Sequence, residues 1–144
     1  MDVPGFLFID HLAIAVPQGG LEAQVESYRR LGFCEVHRED VLGLDQVREV
    51  MLEIGGGPNL IQLLEPLSPA SPVQKVLDRN NGKGRIAHVA YRVQNAQAAF
   101  DYLKSEGFNL VDNGPRPGSR GTTMFFVHPK EFGYLIEIVE APCS

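Results

Sequence analysis

The feature that most constrains this chain is that it says the same thing twice. Phe8-Ile9-Asp10-His11-Leu12-Ala13-Ile14-Ala15-Val16 returns as Arg85-Ile86-Ala87-His88-Val89-Ala90-Tyr91-Arg92-Val93, each a strand-like run with one histidine in the matching place. His11 is followed by a helical segment ending in Leu31-Gly32-Phe33, and His88 by one ending in Glu106-Gly107-Phe108. Gln62, inside Leu60-Ile61-Gln62-Leu63-Leu64-Glu65, answers to Glu137, inside Leu135-Ile136-Glu137-Ile138-Val139-Glu140. The two histidines stand 77 residues apart, and Gly32/Gly107, Gln62/Glu137 and Glu65/Glu140 each stand 75 apart. Self-similarity this long means two copies of one structural module. Each copy places one ligand-type residue on its first strand and one on its last.

Within a copy the periodicity names the elements. In residues 6–16, Ile9, His11, Ala13 and Ala15 share one strand face and Leu12, Ile14 and Val16 the other. Leu21–Leu31 carries apolar residues at 21, 25, 28 and 31, a helical stripe with Gly32 placed to end it. Cys34–Glu39, Val47–Ile54 and Leu60–Glu65 read as strands, the last after the Gly55-Gly56-Gly57 turn. The second copy gives strand Ile86–Val93, helix Asn95–Glu106 and strands Asn109–Asp112, Thr122–His128 and Tyr134–Val139, with 113–121 as a loop. In the connection, Ser71-Pro72-Val73-Gln74 combines an N-cap serine, a proline at N1 and a capping-box glutamine. The expected architecture is one α+β domain over 1–144, built of two βαβββ modules at about 5–66 and 84–141 joined by a short helical connection.

Composition narrows the class. With 144 residues, 44% of them hydrophobic and 22% charged, the chain can bury a real core. No apolar run approaches the ~20 residues of a membrane span. The N-terminal apolar residues lead directly into the His11 strand without a basic flank, which reads against a cleaved signal. Cys34 and Cys143 show no metal-type spacing, and a reduced, cytoplasmic protein is expected. A net charge of −5 speaks against nucleic acid as partner, though not against a small anionic substrate held by local arginines.

The four echoing polar residues then need a purpose. A lone strand histidine is usually a satisfied core or surface residue. Gln62 and Glu137, however, have apolar neighbours on both sides, and burying an unpartnered amide costs roughly 1–3 kcal/mol, a carboxylate more. If the modules pair about a pseudo-twofold axis, His11, Gln62, His88 and Glu137 meet in one cleft as an N/O site for a divalent ion.

These residues resemble the vicinal oxygen chelate superfamily, which includes glyoxalase I, extradiol dioxygenases, fosfomycin-modifying enzymes and bleomycin-binding proteins. Within it the chain is most similar to the methylmalonyl-CoA epimerase family. The resemblance spans nearly the whole length. It is carried by Ile9-Asp10-His11 with Ala13–Val16, Val47-Arg48-Glu49 into Met51-Leu52, Ile61–Pro66, Ala87-His88-Val89-Ala90, Phe126–Lys130 and Leu135-Ile136-Glu137. It implies the glyoxalase-like fold, His11, Gln62, His88 and Glu137 as metal ligands, and Glu49 as an acid/base carboxylate. It also implies an acyl-CoA substrate, a homodimer, and cobalt as the ion, with manganese, nickel, zinc or magnesium as alternatives. Three places depart from the family pattern: Gly43-Leu44-Asp45-Gln46, Ala87, and the shorter stretch from Lys130 to Leu135. They fall around the expected substrate cleft and leave the acyl group open.

The implied reaction is α-proton exchange on a thioester that also carries a carboxylate. Such a proton is too weakly acidic for a glutamate of pKa ~4.3 acting alone. Lewis-acid stabilisation of the enolate worth several kcal/mol and a general base worth about 10²–10⁴-fold would together suffice. Glu49 shares a strand face with Val47 and Met51 and can supply the base, while Glu137 or a coordinated water can return a proton from the other side. The competing readings are a glyoxalase-like lyase or isomerase on another substrate, an iron dioxygenase, and a non-catalytic binder of antibiotics. Arg116, Arg120 and Lys130 are candidates for CoA phosphates; His37 and His128 are expected at the surface or lining the cleft, and Cys34 in packing.

Overall fold

The computed structural model describes residues 5–143. Its elements run β1 (Phe6–Ala15), α1 (Leu21–Arg30), β2 (Cys34–Val41), β3 (Val47–Glu53), β4 (Leu60–Pro66), α2 (Pro72–Asp78), β5 (Arg85–Val93), α3 (Ala96–Ser105), β6 (Arg116–Pro117), a 3-10 turn (Ser119–Gly121), β7 (Thr123–Val127) and β8 (Leu135–Glu140). The contacts divide the chain into two compact units, one His11–Ala87, the other the chain up to Asp10 with everything from His88 onward. The division falls inside β1, between Asp10 and His11.

In the His11–Ala87 unit the strands run in the order β2-β3-β4-β1. β1 and β4 are parallel, and β3 is antiparallel to both β4 and β2. Parallel neighbours need a crossover, and α1 begins it. One face of this sheet, with Val16, Val50, Leu52 and Leu63, packs against Leu21 and Val25 of α1. On the opposite face Ala13, Ala15, Val47 and Leu64 pack against Val73 and Leu77 of α2. The unit that includes His88 repeats the pattern with β5 and β8 parallel and the order β5-β8-β7-β6. Its helix face buries Ala99, Phe100 and Leu103 of α3 against Val93, Phe125, Val127, Ile136 and Ile138.

The echo at Glu65 and Glu140 has a structural explanation. α1 starts at a glycine with no side-chain cap of its own, and Glu65 Oε2 accepts from the backbone N–H groups of Gly19 (2.7 Å) and Leu21 (3.2 Å). Glu140 Oε1 likewise accepts from Ala96 N–H (2.7 Å) at the start of α3, beside the Asn95 cap. In each unit the last strand therefore supplies a carboxylate to the otherwise unpaired N–H groups and positive dipole end of the first helix.

Two local expectations are corrected. Ser71 caps α2 through Val73 N–H, but Gln74 does not close a capping box. Its side chain runs forward to Asp78 Oδ1 at 2.9 Å, the i,i+4 partner that a helix puts within reach. The stretch Asn109–Asp112 forms no strand, only a bridge at Leu110 opposite Val127. The Asp112 carboxylate takes Phe126 N–H (2.8 Å) in place of a backbone carbonyl, and the edge of this sheet passes to the two-residue β6, inside what reads as a loop.

Candidate active site

In the His11–Ala87 unit, β3 and β4 bring two of the expected residues together. Glu49 lies opposite Leu64, and Met51 opposite Gln62, so Glu49 and Gln62 are diagonal neighbours on the face away from α1. Both are buried, and Gln62 Nε2 donates to Glu49 Oε1 at 2.5 Å. An ionised carboxylate can only accept, so the amide must offer it the nitrogen. That leaves Gln62 Oε1 buried with no hydrogen-bond partner among the described residues. A neutral acceptor oxygen stranded in this way fits a cation ligand, because a buried polar group without a partner is costly.

His37 joins the same cluster. Its Nε2 lies 2.6 Å from Glu39 Oε1 and 3.7 Å from Glu49 Oε2. The ring is half-buried between two carboxylates. A register shift between Glu35 and His37 turns it to this face, and no residue type there announces it.

In the other unit, His88 on β5 and Glu137 on β8 meet. Glu137 is paired with Ala90, two residue pairs beyond His88 and so on the same face, and His88 Nε2 lies 3.0 Å from Glu137 Oε1. Both side chains are buried, on the face opposite α3 with Ala90, Met124 and Val139. Phe126 closes edge-on against the His88 ring, centroids 5.3 Å apart, and the Arg116 guanidinium covers Phe126 at 5.7 Å. Arg116 is in turn held by Asp112 Oδ1 at 2.9 Å. One imidazole nitrogen and one carboxylate oxygen thus stand side by side, a donor pair suited to a divalent ion. His11 is buried on β1.

Asp10, the last residue before the chain enters the His11–Ala87 unit, is buried between two arginines of its own unit. Arg92 donates through Nε (2.9 Å) and Nη2 (2.6 Å) to Oδ1, and Arg120 through Nη2 (3.0 Å) to Oδ2. Arg120 holds φ +57°, a left-handed backbone that a non-glycine residue rarely adopts, so the ion pairs offset local strain. Arg116 and Arg120 are thus each held by an aspartate carboxylate, whereas Lys130 is exposed beside His128, whose Nδ1 accepts the Lys130 N–H. Cys34 is exposed and free, as is Cys143, which corrects the expectation that Cys34 packs inside.

The fold and these paired N/O donors define a class. Residues 10–126 match the family described as the Glyoxalase/Bleomycin resistance protein/Dioxygenase superfamily, and the chain belongs to it. Its relatives are more specific. The ethylmalonyl-CoA/methylmalonyl-CoA epimerase of Cereibacter sphaeroides is 36% identical over 133 residues, 90% of this chain and 95% of that one. The crystal structure of methylmalonyl-CoA epimerase from Mycobacterium tuberculosis superposes with a TM-score of 0.90 at 34% identity, covering 100% of this chain and 93% of the other. A Streptomyces coelicolor methylmalonyl-CoA epimerase variant in complex with 2-nitronate-propionyl-CoA gives 0.85 at 35% identity, covering 96% and 100%.

Proposed function

We propose that this chain is an isomerase that epimerises methylmalonyl-CoA, or a closely related 2-acyl thioester, by moving its α-proton. The observation that carries the reading is the buried Glu49–Gln62 contact, a carboxylate and a stranded amide oxygen on one sheet face, in a chain whose relatives are epimerases. His11, Gln62, His88 and Glu137 would hold a divalent ion, cobalt first among the candidates. Such an ion, when bound, supplies Lewis-acid stabilisation for the charge that develops on the substrate's carbonyl oxygens.

The chain's own residues do the rest. Glu49 takes the α-proton at a carboxylate oxygen. The Gln62 amide, bonded to Oε1, fixes the plane of that carboxylate, so no reorientation is needed during transfer. Glu137 is the candidate for returning a proton on the opposite face, and the Phe126 ring against His88 keeps water from that side of the pair. Burial of both carboxylates excludes bulk water, which would otherwise screen every charge in the step.

Self-association is part of the proposal. Phe6, Leu7, Phe8 and Ile9 are all substantially exposed and line, with Tyr91, Phe132 and others, an apolar groove of about 530 Å³. A patch of this kind marks an interaction surface, and a second copy of the chain is the partner we assign to it. Among the described residues no helix is long and apolar enough to cross a membrane. A reducing, cytoplasmic setting is supported by the two free cysteines.

The decisive experiment is incubation of the purified protein with one epimer of methylmalonyl-CoA in D₂O, following deuterium at the α-carbon and interconversion of the epimers. Both should occur. Absence of both, in protein carrying a stoichiometric divalent ion, would move the substrate elsewhere in the superfamily.

A further inference from the structure

We propose that His37, backed by Glu39, is the route by which Glu49 exchanges its proton with solvent. The inference rests on the reading of Glu49 as the acid/base carboxylate.

Glu35 pairs with Leu52, and an uninterrupted ladder would then place Val36 opposite Met51 and His37 opposite Val50. Val50 belongs to the face that packs on α1, so His37 would point away from Glu49. One extra residue in β2 changes this. After the shift His37 is opposite Met51 and Glu39 opposite Glu49, and both side chains join the Glu49 face. A bulge is the device by which a sheet re-aims a side chain without altering the rest of the strand. Its cost here is two carboxylates set directly across from each other, an arrangement that is destabilising on its own. The imidazole of His37 lies between them.

Exposure rises along the row. The Glu49 side chain is 2% exposed, that of His37 30% and that of Glu39 35%. Glu49 is thus sealed, and the next two groups reach water. At 2.6 Å, His37 Nε2 and Glu39 Oε1 must share a proton, since two acceptors would not approach so closely. The 3.7 Å to Glu49 Oε2 is longer than a hydrogen bond and is closed by a small ring rotation or by one water.

The transfer balances. With a proton also held on Nδ1, the ring passes its Nε2–H proton to Glu39, and Glu39 releases it to water. Nε2, now with a free lone pair, takes the proton that Glu49 acquired from substrate. Glu49 returns to its carboxylate form, and solvent has gained one proton. In the reverse direction a solvent proton reaches Glu49. His37 acts only through Glu49 and touches no reacting atom, so it is a positioning and relay residue rather than a catalytic one. Imidazole is the side chain suited to this task, because its ring can hold a proton on one nitrogen while the other gives one up and takes one back.

The consequence is isotopic. A proton abstracted by Glu49 is replaced from solvent before it can return to the carbon it left. In D₂O the recovered, unconverted epimer therefore gains deuterium. The test measures, from each epimer in turn, deuterium in recovered substrate per epimerisation event, for the wild type, His37→Gln and Glu39→Gln. The expected result is a fall of at least about tenfold in that ratio for His37→Gln, in whichever direction Glu49 abstracts, with a smaller fall for Glu39→Gln. A merely structural role would lower exchange and epimerisation together and leave the ratio unchanged. An unchanged ratio in both variants overturns the relay. Glu39→Gln, at a part-exposed position, keeps the test decisive where His37→Gln does not fold. A wild type that neither exchanges nor epimerises overturns the function itself, and the two failures are thereby distinguishable.

Discussion

Gln62 donates its amide N–H to Glu49 Oε1 across 2.5 Å, a diagonal contact between the neighbouring strands β4 and β3. This single bond gives both residues their direction. The carboxylate is held for proton transfer, and the amide oxygen is left as a buried acceptor.

Replacing Gln62 by alanine removes that oxygen and also frees Glu49 Oε1. Affinity for a divalent ion such as Co²⁺ should fall by at least ~10-fold, the loss expected even for groups that only support a ligand. Calorimetric titration of metal-free protein measures it. His88→Ala should give a loss of the same kind through the other donor pair, and unchanged affinity in both variants would remove these residues from the ligand set.

Glu49→Gln keeps the size of the side chain but cannot accept a proton. Epimerisation should drop by at least ~10²-fold, mainly in kcat, while bound metal is retained. Loss of metal together with activity would instead make Glu49 a ligand.

Asp10→Ala should be costly for folding. It strips the shared carboxylate from two guanidinium groups that are themselves largely buried and lets the strained Arg120 backbone go unanchored. Breaking a buried pair costs about 3–5 kcal/mol, and the partial exposure of both arginines puts this case near 3 kcal/mol. Urea unfolding of wild type and variant gives the difference directly.

Glu131 offers a pH-dependent signature. The backbone N–H of Asn109, and then its side-chain amide, both donate to Glu131 Oε1 and hold the carboxyl below the usual glutamate range. Its folded value is depressed, so its contribution is present above the unfolded pKa and is lost as pH falls through the folded value. An NMR titration of the Glu131 carboxyl carbon should show the low midpoint. In Asn109→Ala the midpoint should rise only part of the way, because the backbone donor remains.

Much of this molecule is local and can be read along the chain. Period-2 and helical patterns located β1, α1, β3, β4, β5, α3, β7 and β8 to within a residue or two, because apolar periodicity is imposed by the element itself. The repeat foretold the equivalence of the strands that carry Gln62 and Glu137. It also marked Glu65 and Glu140 as matched, without saying why. Their role as helix caps depends on a carboxylate reaching backbone N–H groups 44 to 46 residues away, which no local pattern records.

The sequence by itself determined the doubled module, the strand faces and the residue types able to bind a cation. Only the tertiary structure decided which partners those groups take. Parity along β2 predicts one face for His37, and a single unpaired residue turns it to the other. Asp112 displaces a strand by taking Phe126 N–H with its side chain, and Gln62 commits its nitrogen to Glu49 because a carboxylate across the ladder can only accept. The physical reason is the same in each case. Periodicity reports which side of an element meets the core, whereas register, bulges and hydrogen-bond direction are settled only when a second strand lies alongside.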